Sequence, residues 1–153
     1  MNYWMLQCNP NHYRWFDYMK QYVNYPDTWG IRLFPNEIES GDTVFIWLSK
    51  YKGKETRGIY AMAEVTRRPS EEVEGFPYES QYWIDKEAKE HQRRLIKLEL
   101  RYSSKSIIDK YIPKDELEEA GLGNLLILRW AQGGIFKLTE QEGEKIKRMV
   151  EAR

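Results

Sequence analysis

Apolar and aromatic residues fall along the chain in short runs of two different periods. Residues 3–7 are strand formers throughout. Asn9-Pro10 then reads as a helix N-cap followed by proline in the first turn, where the missing N–H costs nothing. Trp15, Tyr18, Met19 and Tyr22 recur at helical spacing, and Pro26 stops the helix. Residues 28–33 predict a short strand and residues 35–40 a turn or one helical turn. Gly41-Asp42 leads into 43–49, an unbroken β-branched and aromatic run. Residues 50–57 read as a basic, glycine-containing hairpin tip that returns through 58–66. Pro69, Gly75 and Pro77 make 67–81 an irregular loop, and 82–91 is a helix candidate with a poor apolar pattern. Residues 94–102 alternate Leu95, Lys97 and Glu99 with Ile96, Leu98 and Leu100, a strand with one wet face. A short helix over 113–120, closed by Gly121, precedes strands over 125–130 and 136–138. Thr139 and Glu142 then form a capping box, opening a helix that turns Ile146, Met149 and Val150 inward. Short strands interleaved with helices in this order make an α+β barrel, not a βαβ array.

Composition narrows the class. A chain of 153 residues, 41% of them apolar, is one domain with a real core. Its 24 basic and 24 acidic side chains exclude a wholesale basic surface. One cysteine and two histidines exclude both a disulfide framework and a Cys/His zinc knuckle. No apolar run approaches the roughly 18–20 residues of a membrane span, and the first residues lack the pattern of a signal peptide. The expectation is a cytoplasmic protein that needs no metal or nucleotide cofactor. The outlier is aromatic content, with 6 Trp and 11 Tyr.

The motifs of common catalysts are missing, namely the phosphate-cradling glycine loops, G-x-S-x-G and H-E-x-x-H. Cys8 and His12 are close enough in sequence for a nucleophile–base pair, but a cysteine ending a buried strand usually serves as a small core hydrophobe. Glu37, Glu39 and Asp42 cluster at a turn, where carboxylates mostly just solvate the chain. What is present suggests a base-binding surface. Trp29 stands where a short strand starts, Trp47 within a strand, and Tyr82-Trp83 beside a polar loop. The basic tip (Lys50, Lys52, Lys54, Arg57) and Arg67-Arg68 lie between them in sequence. Aromatic faces stack on bases for about 1–3 kcal/mol each, and lysines track phosphates. The competing reading is that these aromatics merely fill a core and the tip is merely solvated.

The order of segments resembles EVE domains, members of the PUA-like fold and cousins of the YTH readers. The similarity rests on residues 3–10 (YWMLQCNP), 28–32 (TWGIR), 41–49 (GDTVFIWLS), 58–65 (GIYAMAEV) and the segments 126–129 and 138–139. The resemblance covers nearly the whole chain. It implies a single domain over 1–153, a PUA-like small mixed β-barrel of five to seven strands flanked by helices, and a pocket for a flipped, modified base. It places Trp29 in the aromatic wall and Trp83 in the loop that completes a YTH cage. Ala88 stands where the YTH pattern has a further Trp. Trp47 is implied as another wall and Ser49 as a polar contact, with Gln7, Cys8 and Asn9 near the pocket.

The leading function is therefore a non-enzymatic reader of N6-methylated adenine or modified cytosine in DNA. EVE-type domains also serve as specificity domains of McrBC-type restriction systems, which would put a motor domain after Arg153. RNA is the first alternative ligand, since YTH and PUA modules mostly bind RNA. An ASCH-type enzyme acting on modified nucleosides is the second, and its G-x-K-x-x-E-x-R motif is absent. Trp4, alternating with Leu6, belongs to the expected core.

Overall fold

Strand β1 (Tyr3–Cys8) feeds two separate cores, with Trp4, Leu6 and Cys8 in one and Tyr3 and Met5 in the other. Strand β3 (Thr43–Leu48) does the same, sending Val44, Ile46 and Leu48 one way and Phe45 and Trp47 the other. Burial on both faces is why both segments read as continuous apolar runs. The two strands are parallel, with Tyr3 opposite Thr43 and Cys8 opposite Leu48. A computed structural model describes residues 1–22, 25–75, 79–102, 110–129 and 133–153; Pro77 and Trp130 of the expected loop and strand lie outside them.

The remaining strands pair antiparallel. They are β2 (Pro26–Ile31), β4 (Gly58–Ser70), β5 (Ile96–Tyr102), β6 (Ile112–Pro113) and β7 (Ile135–Leu138). The sheet order is β2-β5-β4-β3-β1-β7, with β6 on β4. Helix α1 (Trp15–Tyr22) covers the first core with Trp15, Tyr18 and Met19. Helix α5 (Glu140–Glu151) covers the second with Ile146 and Val150, and it starts on the expected capping box of Thr139 and Glu142. Helix α2 (Lys86–Arg93) buries no residue fully, which explains its poor apolar pattern, and Asp85 caps it. Helices α3 (Lys114–Leu117) and α4 (Leu126–Arg129) flank a π-type turn, Glu118–Leu122.

The architecture is the expected mixed α+β one, but closure differs from expectation. Among the described residues no ladder joins β2 to β7, so the sheet is an open, curled path rather than a closed barrel. Its curl follows from geometry. Strands β1 and β2 are four steps apart in the sheet, roughly 19 Å if it were flat. Yet Cys8 of β1 and Asp27 and Trp29 of β2 line one cavity of about 200 Å³. Two local expectations also give way. Residues 126–129 are helical, because Leu122 and Leu125 are buried three residues apart and Leu128 packs on the same core. The apolar residues between them hid that period. Asn9 caps a turn instead of a helix. Its Oδ1 accepts from the backbone N–H and the side-chain amide of Asn11, 2.9 Å each, and α1 starts only at Trp15.

Asp42 is the third departure. It does not solvate its turn but is 3% exposed and accepts three hydrogen bonds. Oδ1 takes the Asn2 N–H at 2.9 Å, while Oδ2 takes the Trp4 indole N–H at 2.9 Å and the Glu39 N–H at 3.0 Å. Removing an acceptor strands each donor at about 1–3 kcal/mol when buried. Asp42→Ala should therefore lower unfolding stability by about 2–4 kcal/mol in urea titrations. A loss under about 0.5 kcal/mol, the range of ordinary surface changes, would show that the three donors find other partners.

Candidate functional site

The end of β1, the turn after it and β2 converge on the cavity of about 200 Å³. Gln7, Cys8 and Asn9 come from β1 and its end, and Asp27, Thr28, Trp29 and Gly30 from β2. Across from them stand His12, Tyr13 and Trp83, with Ala88 and Gln92 of α2 and Lys97 of β5 completing the wall. Gly30 lets the Gln92 side chain approach the β2 backbone. A Cβ there would overlap the Gln92 amide, so a larger residue would make the Gln92 side chain shift within the wall.

Trp83 is positioned by backbone as well as side-chain contacts. It forms an isolated antiparallel bridge with Tyr13, and the N–H groups of Ile84 and Arg14 bond to His12 and Tyr82 carbonyls at 2.8 and 2.7 Å. Its indole meets the Tyr13 ring edge-on, centroids 4.9 Å apart. Trp29, opposite Leu98 on β5, packs against the first core while lining the cavity. Both indoles are partly exposed.

The other expected residues divide. Gln7 and Asn9 line the cavity with the two tryptophans. Trp47 does not. It is 2% exposed in the second core, on the sheet face opposite the core that Trp29 and Trp83 pack against, because alternation along β3 turns it that way. Tyr82 is buried too, its hydroxyl donating to Gln21 Oε1 at 2.7 Å. Ser49 sits just past β3, where its N–H bonds to the Cys8 carbonyl at 3.1 Å; it lies beside the cavity wall rather than in it.

The basic tip is a tight turn at Lys52-Gly53, both with positive φ (49° and 75°). Asn11 fixes it beside the cavity, donating to the Lys50 carbonyl at 2.9 Å and accepting from the Lys52 N–H at 3.0 Å. Lys50, Lys52 and Lys54 are exposed. Arg57 is already engaged, forking onto Glu55, whose carboxyl this hydrogen bond pulls down to about 2. Arg67 and Arg68 are exposed but lie far along β4 from Gly58, with Arg67 4.0 Å from Glu72, so they do not belong to the tip.

Sequence reasoning passed over Asp27, Thr28, Gln92 and Lys97 in the cavity. The wet face of 94–102 pointed toward Lys97, but nothing in the pattern marked the others, which depend on the curl. Chemically the site offers two indole walls, amides, one lysine and one carboxylate. Among the described residues no group of three or more His, Cys, Asp or Glu is placed to hold a metal, and no helix is long and apolar enough to cross a membrane.

A curled mixed sheet with this cavity beside its parallel pair is an α+β architecture that resembles the PUA-like fold. The family model of the EVE domain matches residues 2–149, and the chain belongs to that family. The fold is similar to that of human THYN1 protein in a crystal structure with 5-methylcytosine-containing DNA (TM-score 0.67, 16% identity, 99% of this chain and 98% of that one). A Leishmania major protein gives TM-score 0.65 at 21% identity over 99% of this chain and 96% of that one. The MmI1 YTH domain gives 0.50 at 11% identity over the whole of both chains. By sequence, no curated protein matches.

Cys8, 7% exposed, has its thiol pushed well up by burial and secondarily by Asp27, while the His12 imidazole lies 3.7 Å from Asp85. A thiol so held stays protonated and is a poor nucleophile. Labelling of Cys8 by a small disulfide reagent at pH 8 should therefore track unfolding. Rapid labelling of the native protein would reveal an accessible thiolate instead.

Proposed function

We propose that the cavity receives a flipped, modified base of DNA, N6-methylated adenine or a modified cytosine, and binds it without chemical change. The observation that carries this reading is the convergence of Trp29 and Trp83, from distant segments, on one small cavity bordered by amides. At about 200 Å³ the cavity falls below the roughly 300–1,000 Å³ of pockets for drug-sized ligands and suits a single heterocycle. The THYN1 structure, of the same fold, was obtained with DNA containing 5-methylcytosine, which supports the DNA arm of the reading. Cys8, its thiol kept protonated by burial and by the neighbouring Asp27, is a poor nucleophile, which favours binding over catalysis.

The energetics are consistent. Extruding a base costs a few kcal/mol, and two stacking faces at about 1–3 kcal/mol each, with phosphate contacts, offset it. A methyl group adds only about 0.8 kcal/mol by burial, so shape and hydrogen bonds must supply the rest of the discrimination. Phosphates are held by Lys50, Lys52 and Lys54, next to the cavity through Asn11.

Two measurements test this. Trp29→Ala and Trp83→Ala should each weaken binding of a methylated oligonucleotide by about 5- to 150-fold. Thermal melts should show the domain still folded, because partly exposed walls lack the 3–5 kcal/mol cost of truncating a core aromatic such as Trp4. A folded Trp29→Ala protein with unchanged affinity sinks the reading, and tighter binding of the matching RNA would move it to RNA.

Charge reversal at Lys50, Lys52 and Lys54 should weaken modified and unmodified DNA alike and flatten the salt slope by about one unit per lost contact. Arg57→Gln should change that slope far less, since Glu55 already neutralises Arg57. An unchanged slope in the lysine variants would place the phosphate surface elsewhere.

A further inference from the structure

Among the described residues lining the cavity, Asp27 is the one carboxylate. It is 3% exposed, and its place on β2 is fixed by pairing opposite Leu100. Oδ1 accepts the Thr28 N–H at 2.8 Å, and Oδ2 accepts from the Tyr102 hydroxyl at 3.5 Å. Its field also acts on its neighbours, contributing after burial itself to the raised thiol of Cys8 and phenol of Tyr102. An ionised carboxylate only accepts hydrogen bonds, and each oxygen has room for more than one.

We infer that Asp27 makes this cavity a reader of the exocyclic amino group, so that it separates 5-methylcytosine from thymine. The inference rests on the base-reading function proposed above. The two bases share a ring and a methyl group, and aromatic walls stack on both with similar energy. They differ at position 4, where cytosine carries an N–H donor and thymine a carbonyl acceptor. A carboxylate at the cavity surface accepts from the first and repels the second, leaving both acceptors desolvated and unpaired. The same rule separates N6-methyladenine, which keeps one N–H, from N6,N6-dimethyladenine, which has none. The methyl group then contributes area, while the amino group decides identity. Such a protein would release a methylated site once its cytosine has been deaminated.

The test uses the full chain and single-stranded oligonucleotides carrying one test base between abasic positions, so that no partner strand must be opened. Tryptophan fluorescence titrations compare 5-methylcytosine with thymine, and N6-methyladenine with N6,N6-dimethyladenine. The first member of each pair should bind about 5- to 150-fold more tightly, the span of a good base-edge contact. Asp27→Asn, whose amide both donates and accepts, should lose most of that preference while still binding. If Asp27→Asn fails to fold in a thermal melt, the wild-type panel decides alone. Equal affinity within both pairs, or a preference for thymine, overturns the inference and leaves the base-reading proposal standing. A preference that persists unchanged in a folded Asp27→Asn protein overturns the role of Asp27. Absence of binding to every base in the panel overturns both proposals.

Discussion

The parallel pairing of β1 with β3 is the constraint from which the cavity follows. Asp42 pins one end of the pair, joining the Asn2 N–H and the Trp4 indole of the first strand to the turn that starts the second. With that end fixed, the register delivers Gln7, Cys8 and Asn9 to the other end, opposite Trp47, Leu48 and the residue after them. The Asn9 turn and Asn11 then hold the hairpin tip there, and the His12 carbonyl holds the segment carrying Trp83. A slip of one residue in β1 would exchange its two faces. Trp4 would leave Asp42, and the polar end of the strand would turn away from the tryptophans.

The aromatic excess divides by position into different tasks. Trp4, Trp15 and Trp47 are fully enclosed, and between them they serve both faces of the sheet. Tyr13, Tyr18, Tyr22 and Tyr82 form a cluster of tilted and edge-on rings, with centroids 5.3 to 6.3 Å apart, that docks the segment before α2 onto α1. Tyrosines suit this position because their bodies pack while a hydroxyl such as that of Tyr82 reaches a polar partner. Among the described Trp, Tyr and Phe residues, only Trp29 and Trp83 combine partial exposure with a place in the cavity. Aromatic composition alone therefore overcounts the wall.

Legibility in the sequence followed the range of the interaction. The strands 3–7, 43–49 and 58–66 and the Thr139–Glu142 capping box depend on neighbours in sequence, and each stands close to where it was expected. Trp29 and Trp83 drew attention because no local periodicity accounted for them. Trp47 was misread for the complementary reason. Its strand is buried on both faces, so no alternation distinguishes wall from core. Asp42 looked like one more turn carboxylate because its donors include Asn2 and Trp4, far back in the chain. Asp27, Gln92 and Lys97 meet only when the sheet curls, a property carried by no single segment.

The charge balance bears on how such a site must divide its work. A neutral chain with a forked Arg57–Glu55 pair at its tip carries three exposed lysines there, Lys50, Lys52 and Lys54, while its other exposed cations are spread over the rest of the surface. Phosphate attraction of that size is sequence-independent and fades with salt, so it brings a strand to the rim without choosing among bases. Stacking on two indoles is equally tolerant, because every base has a π-face. On the proposed reading, choice is left to the polar groups of the cavity, which among the described residues are the amides of Gln7, Asn9 and Gln92, Thr28, His12, Lys97 and the buried carboxylate of Asp27. The amides can turn to present a donor or an acceptor, whereas an ionised Asp27 only accepts and Lys97 only donates. On that reading, selectivity concentrates at the side chains whose chemistry is fixed, with Asp27 as the acceptor among them.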